Sequence, residues 1–375
     1  MLPIDVIKGF YTDIENYDAL DITKIESGHI NRTYEVKDRT LAGTYRGHYI
    51  FQRINTSIFK NPVGLMNNIM LVTEHAAASA IAAGKDPKVS TLTLMKSVQD
   101  KVYYVDSEGY YWRCYLFLPN SINLDVVEVT PGTYVQAGGA LADFQRMLAD
   151  FDASLLCEVI PGFHDTRNRF KNLKKAIEEN RSGRAANAKA EIEYALSLEG
   201  ITGTIVDRLR DGRLPLRVTH NDTKLSNIMI DNDTHEVMCL IDLDTVMPGS
   251  ALYDFGDALR AGGSSAAEDE ADLSKVNFLE LNFEKYCEGY IGGAKDFLTD
   301  EELSLLPESA AILTYECGIR FLSDYLDGDT YFSTKYPEHN LVRARNQFKL
   351  VKDVLGNLER LHGIVEKVMV KGVPH

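Results

Sequence analysis

The chain has 375 residues, 45% hydrophobic and 25% charged, a composition that supplies sizeable cores, excludes a disordered or disulfide-stapled protein and, at this length, fits two unequal lobes better than one. A formal net charge of −15 leaves no basic field for a nucleic-acid backbone or an anionic membrane, so neither is an expected partner. The five cysteines form no CxxC pair and no close His cluster, no basic-plus-apolar leader opens the chain and no run of about 18 apolar residues occurs, so reduced thiols and a cytoplasmic location are expected.

In chain order, alternating patterns predict strands over 33–36, 48–54, 101–105 and 110–118, the last two joined by the turn sequence Asp106-Ser107-Glu108-Gly109. Between them, 62–83 reads as a helix, with Leu65, Ile69, Val72 and Ala76 on one face and Gly84 as its stop. One helix against a small antiparallel sheet makes an N-terminal lobe over 1–118. From about residue 130 the pattern turns helical, over 134–151, 170–180, 188–198, 278–290 and 341–370, giving a larger C-terminal lobe over 119–375. Its strand signals, 228–230 and 237–241, surround a polar turn at 231–235 and predict an isolated hairpin, while 262–265 reads as a flexible loop.

The chemistry gathers at the ends of that hairpin. Asp222 and Asn227 stand just before its first strand, and Asp242 and Asp244 just after its second. A hairpin brings its outer ends together, which assembles a carboxylate able to orient a hydroxyl with hard oxygen ligands for a metal bridging phosphates. Asn227 and Asp242 supply such oxygens. If the second strand continues through 241–244, Asp242 and Asp244 face the same side, and either or both suit a metal. The competing reading makes these residues turn caps, which the joint spacing disfavours.

The arrangement His220-x-Asp222-x-x-x-x-Asn227, a hairpin, then Ile241-Asp242-x-Asp244 resembles the active site of the aminoglycoside phosphotransferase and choline kinase superfamily. Gly28 to Tyr34, Asn55 to Phe59 and the stretches 209–227, 241–249 and 335–343 resemble the N-acetylhexosamine 1-kinase family within it, and the likeness runs over nearly the whole chain. The resemblance implies an α+β, bilobal, protein-kinase-like fold and transfer of the ATP γ-phosphate to the anomeric hydroxyl of N-acetylglucosamine or N-acetylgalactosamine. It makes Asp222 the catalytic base or hydroxyl-orienting residue and Asn227 and Asp242 the Mg²⁺ ligands. ATP and a small sugar are the implied partners.

The turn before the first predicted strand, with Gly28, Asn31 and Thr33, suits a backbone laid over nucleotide phosphates. By the resemblance His29 is also a sugar contact, as are Arg320 and Tyr331. On residues alone, Glu316, Arg320 and Asp324 at four-residue steps are either a solvated ion-pair row or a face carrying Arg320 into an acceptor cleft. One departure stands out: kinase-like folds place a lysine on the third strand, and the aligned position here is Gln52. Either Mg²⁺ and backbone hold the phosphates, or Arg53 or Lys60 reaches them. Asp254, Asp257, Glu74, His164, Trp112 and His339 are read as structural. A kinase of another acceptor (choline, an aminoglycoside, homoserine or a hexose), or a silent nucleotide-binding protein, are the alternatives.

Overall fold

A computed structural model describes residues 2–14, 17, 20–26, 30–39 and 45–371. The chain begins with α1 (Ile4–Lys8), β1 (Leu20–Ile25), β2 (Arg32–Arg39), β3 (Tyr45–Arg53), α2 (Pro62–Ala82), α3 (Pro87–Ser90), β4 (Tyr104–Val105), β5 (Tyr111–Leu116) and β6 (Ser121–Asn123). It continues through α4 (Pro131–Met147), α5 (Thr166–Glu179), α6 (Lys189–Ser197), α7 (Val206–Arg210), β7 (Arg217–Thr219), β8 (Ile228–Asp231), β9 (Val237–Leu240) and β10 (Met247–Gly249). The last part is helical: α8 (Ala251–Gly262), α9 (Glu280–Ala294), α10 (Asp300–Ser304), α11 (Leu306–Asp327), α12 (His339–Gly356) and α13 (Leu358–Lys371). Two compact units result, Met1–Ile122 with Ser154–Ile160 and Met229–Met247, and Asn123–Ala153 with Pro161–Ile228 and Pro248–His375.

The first unit is built on an antiparallel sheet in the order β1-β2-β3-β5-β4. On one face Tyr34, Val36, Tyr49, Phe51, Trp112 and Cys114 pack against Val6, Ile7 and Phe10 of and beside α1. Each large apolar side chain buried there contributes about 1.5–3 kcal/mol. On the opposite face, register places Thr33 across from Gln52 and Gln52 across from Arg113. The hairpin turn forms as its sequence predicts: Gly109 adopts φ 83°, and Asp106 accepts from the backbone of Glu108 and Tyr110 and from Trp112 Nε1. Its first strand is shorter than expected, only Tyr104–Val105. The edge strand β1 was not anticipated, because Leu-Asp-Ile-Thr-Lys-Ile buries neither face.

Helix α2 starts where Asn61 accepts from the Gly64 amide at 2.9 Å, with Pro62 in its first turn, and stops before Gly84 at φ 74°. Its buried Asn68 donates to the carbonyls of Cys157 and Val246 and accepts from the Cys157 amide, which ties the unit's separate chain segments together. The hairpin of β8 and β9 is not isolated: β6 adds a third strand beside β8. A three-residue strand carries too little alternation to be visible in sequence.

The second unit is mainly helical, with a core in which Tyr315, Ile319 and Leu322 of α11 meet Leu341, Ala344 and Val351 of α12 and Phe170 and Leu173 of α5. Helices α4 and α9 approach until a β-carbon on Gly138 would run into the Tyr286 carbonyl oxygen and one on Gly289 into that of Val135. The long helix expected over 341–370 divides at Asn357, where Gly356 and Asn357 lower helix propensity together. The glycine-serine stretch at 262–265 is tied down, with the Ser265 amide on the Asn277 carbonyl and Ser264 bridged to Phe278. Among the described residues no helix is long and apolar enough to cross a membrane, and all five cysteines are unpaired.

Candidate active site

In the second unit, β7 delivers the chain into 220–227. Asn221 turns it with φ 63°, a left-handed conformation that asparagine tolerates better than most residues, and Asn221 Nδ2 donates to Thr219 Oγ1 at 2.8 Å. Asp222 follows, partly exposed, its Oδ2 accepting from Lys224 Nζ and from Asn227 Nδ2, each at 2.8 Å. Asn227 Nδ2 also donates to the Asp222 carbonyl at 2.9 Å. With its amide nitrogen turned to Asp222, the Asn227 side-chain oxygen is the atom offered as a ligand. The five-residue spacing is thus a closed loop in which each residue fixes the other.

The loop hangs from the first turns of α8. Asp254 is fully buried and accepts from the amides of His220 and Asn221 and from Gln145 Nε2, which is itself held by Tyr290 Oη. Burial pushes its carboxyl above the usual range, while His220 and these donors pull it down. Thr223 donates its hydroxyl to the Asp254 carbonyl at 2.8 Å and its amide to the Asp257 carboxylate. Burial alone would raise Asp257, yet Arg260, His164 and that amide hold it below the ordinary carboxylate value. Asp254 and Asp257 therefore position 220–223, as expected of structural residues.

In the same unit Arg320 of α11 lies among the rings of Phe163, Tyr331 and Phe332, its guanidinium carbon 5.6, 5.9 and 5.5 Å from their centroids. Tyr331 is 70% exposed, and its loop is held by Asp324, which accepts from the amides of Thr330, Tyr331 and Phe332 and from Asn340. Arg320 and Tyr331, assigned together, are neighbours. The solvated ion-pair row is overturned: Glu316 is buried, bound to His164 Nδ1 at 2.8 Å and Thr166 Oγ1 at 2.6 Å, and Asp324 is buried as the loop's anchor.

In the first unit, β9 ends at Leu240, and Asp242 takes a left-handed conformation, φ 63° and ψ 54°, before a short 3₁₀ turn at Leu243–Thr245. The strand does not continue, so Asp242 and Asp244 do not share a strand face. Asp242 is partly exposed, in a left-handed conformation that aspartate, like asparagine, enters more readily than most residues. Asp244 is buried and occupied: Oδ1 accepts from Arg113 Nη1 and Oδ2 from Asn31 Nδ2. Asn31 Oδ1 also accepts from the Asn55 amide at 3.0 Å, and Thr33 Oγ1 accepts from Gln52 Nε2 at 3.0 Å. The assigned residues Gly28 and His29 lie outside the described residues.

Arg53 stacks on Tyr110 on the other face from Gln52, while Lys60 and Glu74 are exposed. The sequence reading missed Arg113, whose guanidinium lies beside Gln52 with Nε donating to Gln52 Oε1 at 2.8 Å. Nothing local signals it, because its partners are 61 and 131 residues away along the chain. Among the described residues no three His, Cys, Asp or Glu side chains are gathered as a metal site. An amide oxygen, a carboxylate, phosphate oxygens and water do not require such a cluster for Mg²⁺.

A small antiparallel sheet unit, a larger helical unit and an Asp-Asn loop hung from a buried aspartate define a kinase-like phosphotransferase. The chain belongs to the phosphotransferase enzyme family, whose model matches residues 21–287. Its fold is that of solved relatives. An aminoglycoside phosphotransferase from Alicyclobacillus acidocaldarius matches at 13% identity over 98% of this chain and 97% of that one, with TM-score 0.59. A microcompartment-associated aminopropanol kinase matches at 14% over 96% and 97%, with TM-score 0.58. A spectinomycin phosphotransferase solved with ADP and spectinomycin matches at 13% over 95% and 97%, with TM-score 0.53.

Proposed function

We propose that the chain uses ATP and Mg²⁺ to phosphorylate the anomeric C1 hydroxyl of N-acetylglucosamine or N-acetylgalactosamine. The reading has residues 1–118 as the nucleotide lobe and 119–375 as the catalytic and acceptor lobe, in a cytoplasmic enzyme. The observation that carries the chemistry is Asp222 fixed by Asn227 in a loop suspended from Asp254. Asp222 accepts or orients the hydroxyl proton, and the rigid loop holds that carboxylate where an in-line nucleophile needs it. Lys224 Nζ donates to the same carboxylate oxygen at 2.8 Å and adds a second hold on its position. Asn227 and Asp242 hold the metal, which when bound neutralises charge on the phosphates. Gly28, Asn31 and Thr33 belong to the nucleotide side, and His29, Arg320 and Tyr331 to the sugar side.

Support for a nucleotide comes from the spectinomycin phosphotransferase of the same fold, solved with ADP. Support for a sugar rather than a quaternary amine comes from Arg320, because its guanidinium occupies the space between Phe163, Tyr331 and Phe332 that a choline headgroup would need. It presents donors suited to sugar hydroxyls and an acetamido carbonyl.

Purified protein with Mg²⁺-ATP and each N-acetylhexosamine is expected to give the 1-phosphate, identified by phosphorus-coupled NMR at C1. Asp222→Asn should lower turnover by about 100-fold to 10,000-fold with nucleotide affinity retained. Inactivity on both N-acetylhexosamines beside turnover of choline, an aminoglycoside, homoserine or a hexose would replace the acceptor. ATP binding without turnover of any of them would make this a silent nucleotide-binding protein.

A further inference from the structure

We propose that Arg113 of β5 is this chain's phosphate-binding cation, taking the place of the lysine that kinase-like folds carry on β3, and that Asp244 holds that cation rather than a metal. The inference rests on the ATP reading above. On β3 the lysine's aligned position is Gln52, an amide with no charge to offer a phosphate. The register sets Gln52 directly opposite Arg113, so the two side chains rise from the same face of the sheet, and Gln52 Oε1 accepts from Arg113 Nε at 2.8 Å. The charge absent from one strand stands on the next.

Of the alternatives that the sequence offered, one lies on the other face and one outside the sheet. Arg53 stacks on Tyr110 at 4.1 Å on the far side, and Lys60 is exposed beyond the end of β3. Arg113 is buried to 1% exposure. An arginine buried this deeply needs a counter-charge, which Asp244 provides through Nη1. Burial works against its charge, and the Asp244 carboxylate more than offsets this.

A guanidinium presents five donors in a planar fork. Gln52 takes Nε and Asp244 takes Nη1, so among the described residues Nη2 is left without a protein acceptor. The fork is held by its other two nitrogens, which suits recognition of an anion by a pre-set donor. Asp244 is in turn fixed on its second oxygen by Asn31, the residue that leads into β2 from the phosphate-side turn. Both oxygens of Asp244 are thereby committed, and metal ligation falls to Asp242.

The test is calorimetric binding of ATP, ADP and adenosine to wild type, Arg113→Gln, Arg113→Lys and the exchange variant Gln52→Lys/Arg113→Gln. Arg113→Gln should weaken ATP and ADP by about ten- to a hundred-fold and leave adenosine unchanged, because the lost contact is to phosphate. The exchange variant should recover most of that loss, and Arg113→Lys part of it. Because Arg113→Gln strands a buried carboxylate, the neutral pair Arg113→Gln/Asp244→Asn is measured too, judged by the same ATP-to-adenosine ratio. An unchanged ratio in either folded variant overturns the proposal, as does equal weakening of ATP and adenosine. Failure of wild type to bind ATP overturns the ATP reading and this inference with it; equal ATP binding by wild type and Arg113→Gln overturns this inference alone.

Discussion

With both oxygens committed to donors, Asp254 dictates the path of 220–223 without touching a reacting atom. Asp254→Asn replaces an acceptor by a donor facing two backbone amides, and should cost about 1.5–3 kcal/mol of stability. Turnover should fall more than stability implies, with faster amide exchange at His220 and Asn221 as the check. The pairing of Asp222 with Asn227 was legible in the sequence because it is local, five residues apart in one loop before the hairpin. Arg113 was not, because an arginine inside Tyr-Trp-Arg-Cys-Tyr-Leu reads as the outward member of an alternating strand. Asp269 makes a separate prediction. Lys335 and then His339 hold its carboxyl down to about 2, so its contribution is present above the ordinary carboxylate pKa and lost as pH falls from about 4 to about 2. Asp269→Asn should flatten the loss of stability over that window, seen as urea midpoints that change less with pH.

At the scale of elements, α4 and α9 meet through glycines, so a methyl group at Gly289 has a backbone carbonyl in its way rather than a movable side chain. Gly289→Ala should destabilise by about 1–3 kcal/mol through forced helix separation, measured by thermal melting. Helix α2 was readable to within a residue because asparagine, proline and glycine mark its two ends. The long final helix was overextended because amphipathic periodicity continues across Asn357, where only backbone preference breaks it. Strands β6, β7 and β10, of three residues each, lie below the length at which alternation means anything.

For the whole molecule, a change from strand-like to helical patterning near residue 130 was legible, but not the return of later segments to the first unit. Residues 154–160 and 229–247 supply the carbonyls that Asn68 binds and the carboxylate that pairs with Arg113. A fragment of residues 1–122 should therefore be poorly folded although it contains the entire five-stranded sheet, since it strands a buried arginine and a buried amide. Circular dichroism and amide dispersion of the fragment against the full chain test this; a cooperative melt equal to that of the full chain would contradict it.

The pairing of Arg113 with Asp244 also bears on control. Protein kinases are switched by swinging a helix so that its glutamate leaves the β3 lysine. If Arg113 fills that place, as proposed above, the cation here is gripped by a residue of the turn after β9, and Glu74 of α2 is exposed. With Arg113 in that role, α2 acts on the cation not through a glutamate but through Asn68, which holds the Val246 carbonyl two residues beyond Asp244.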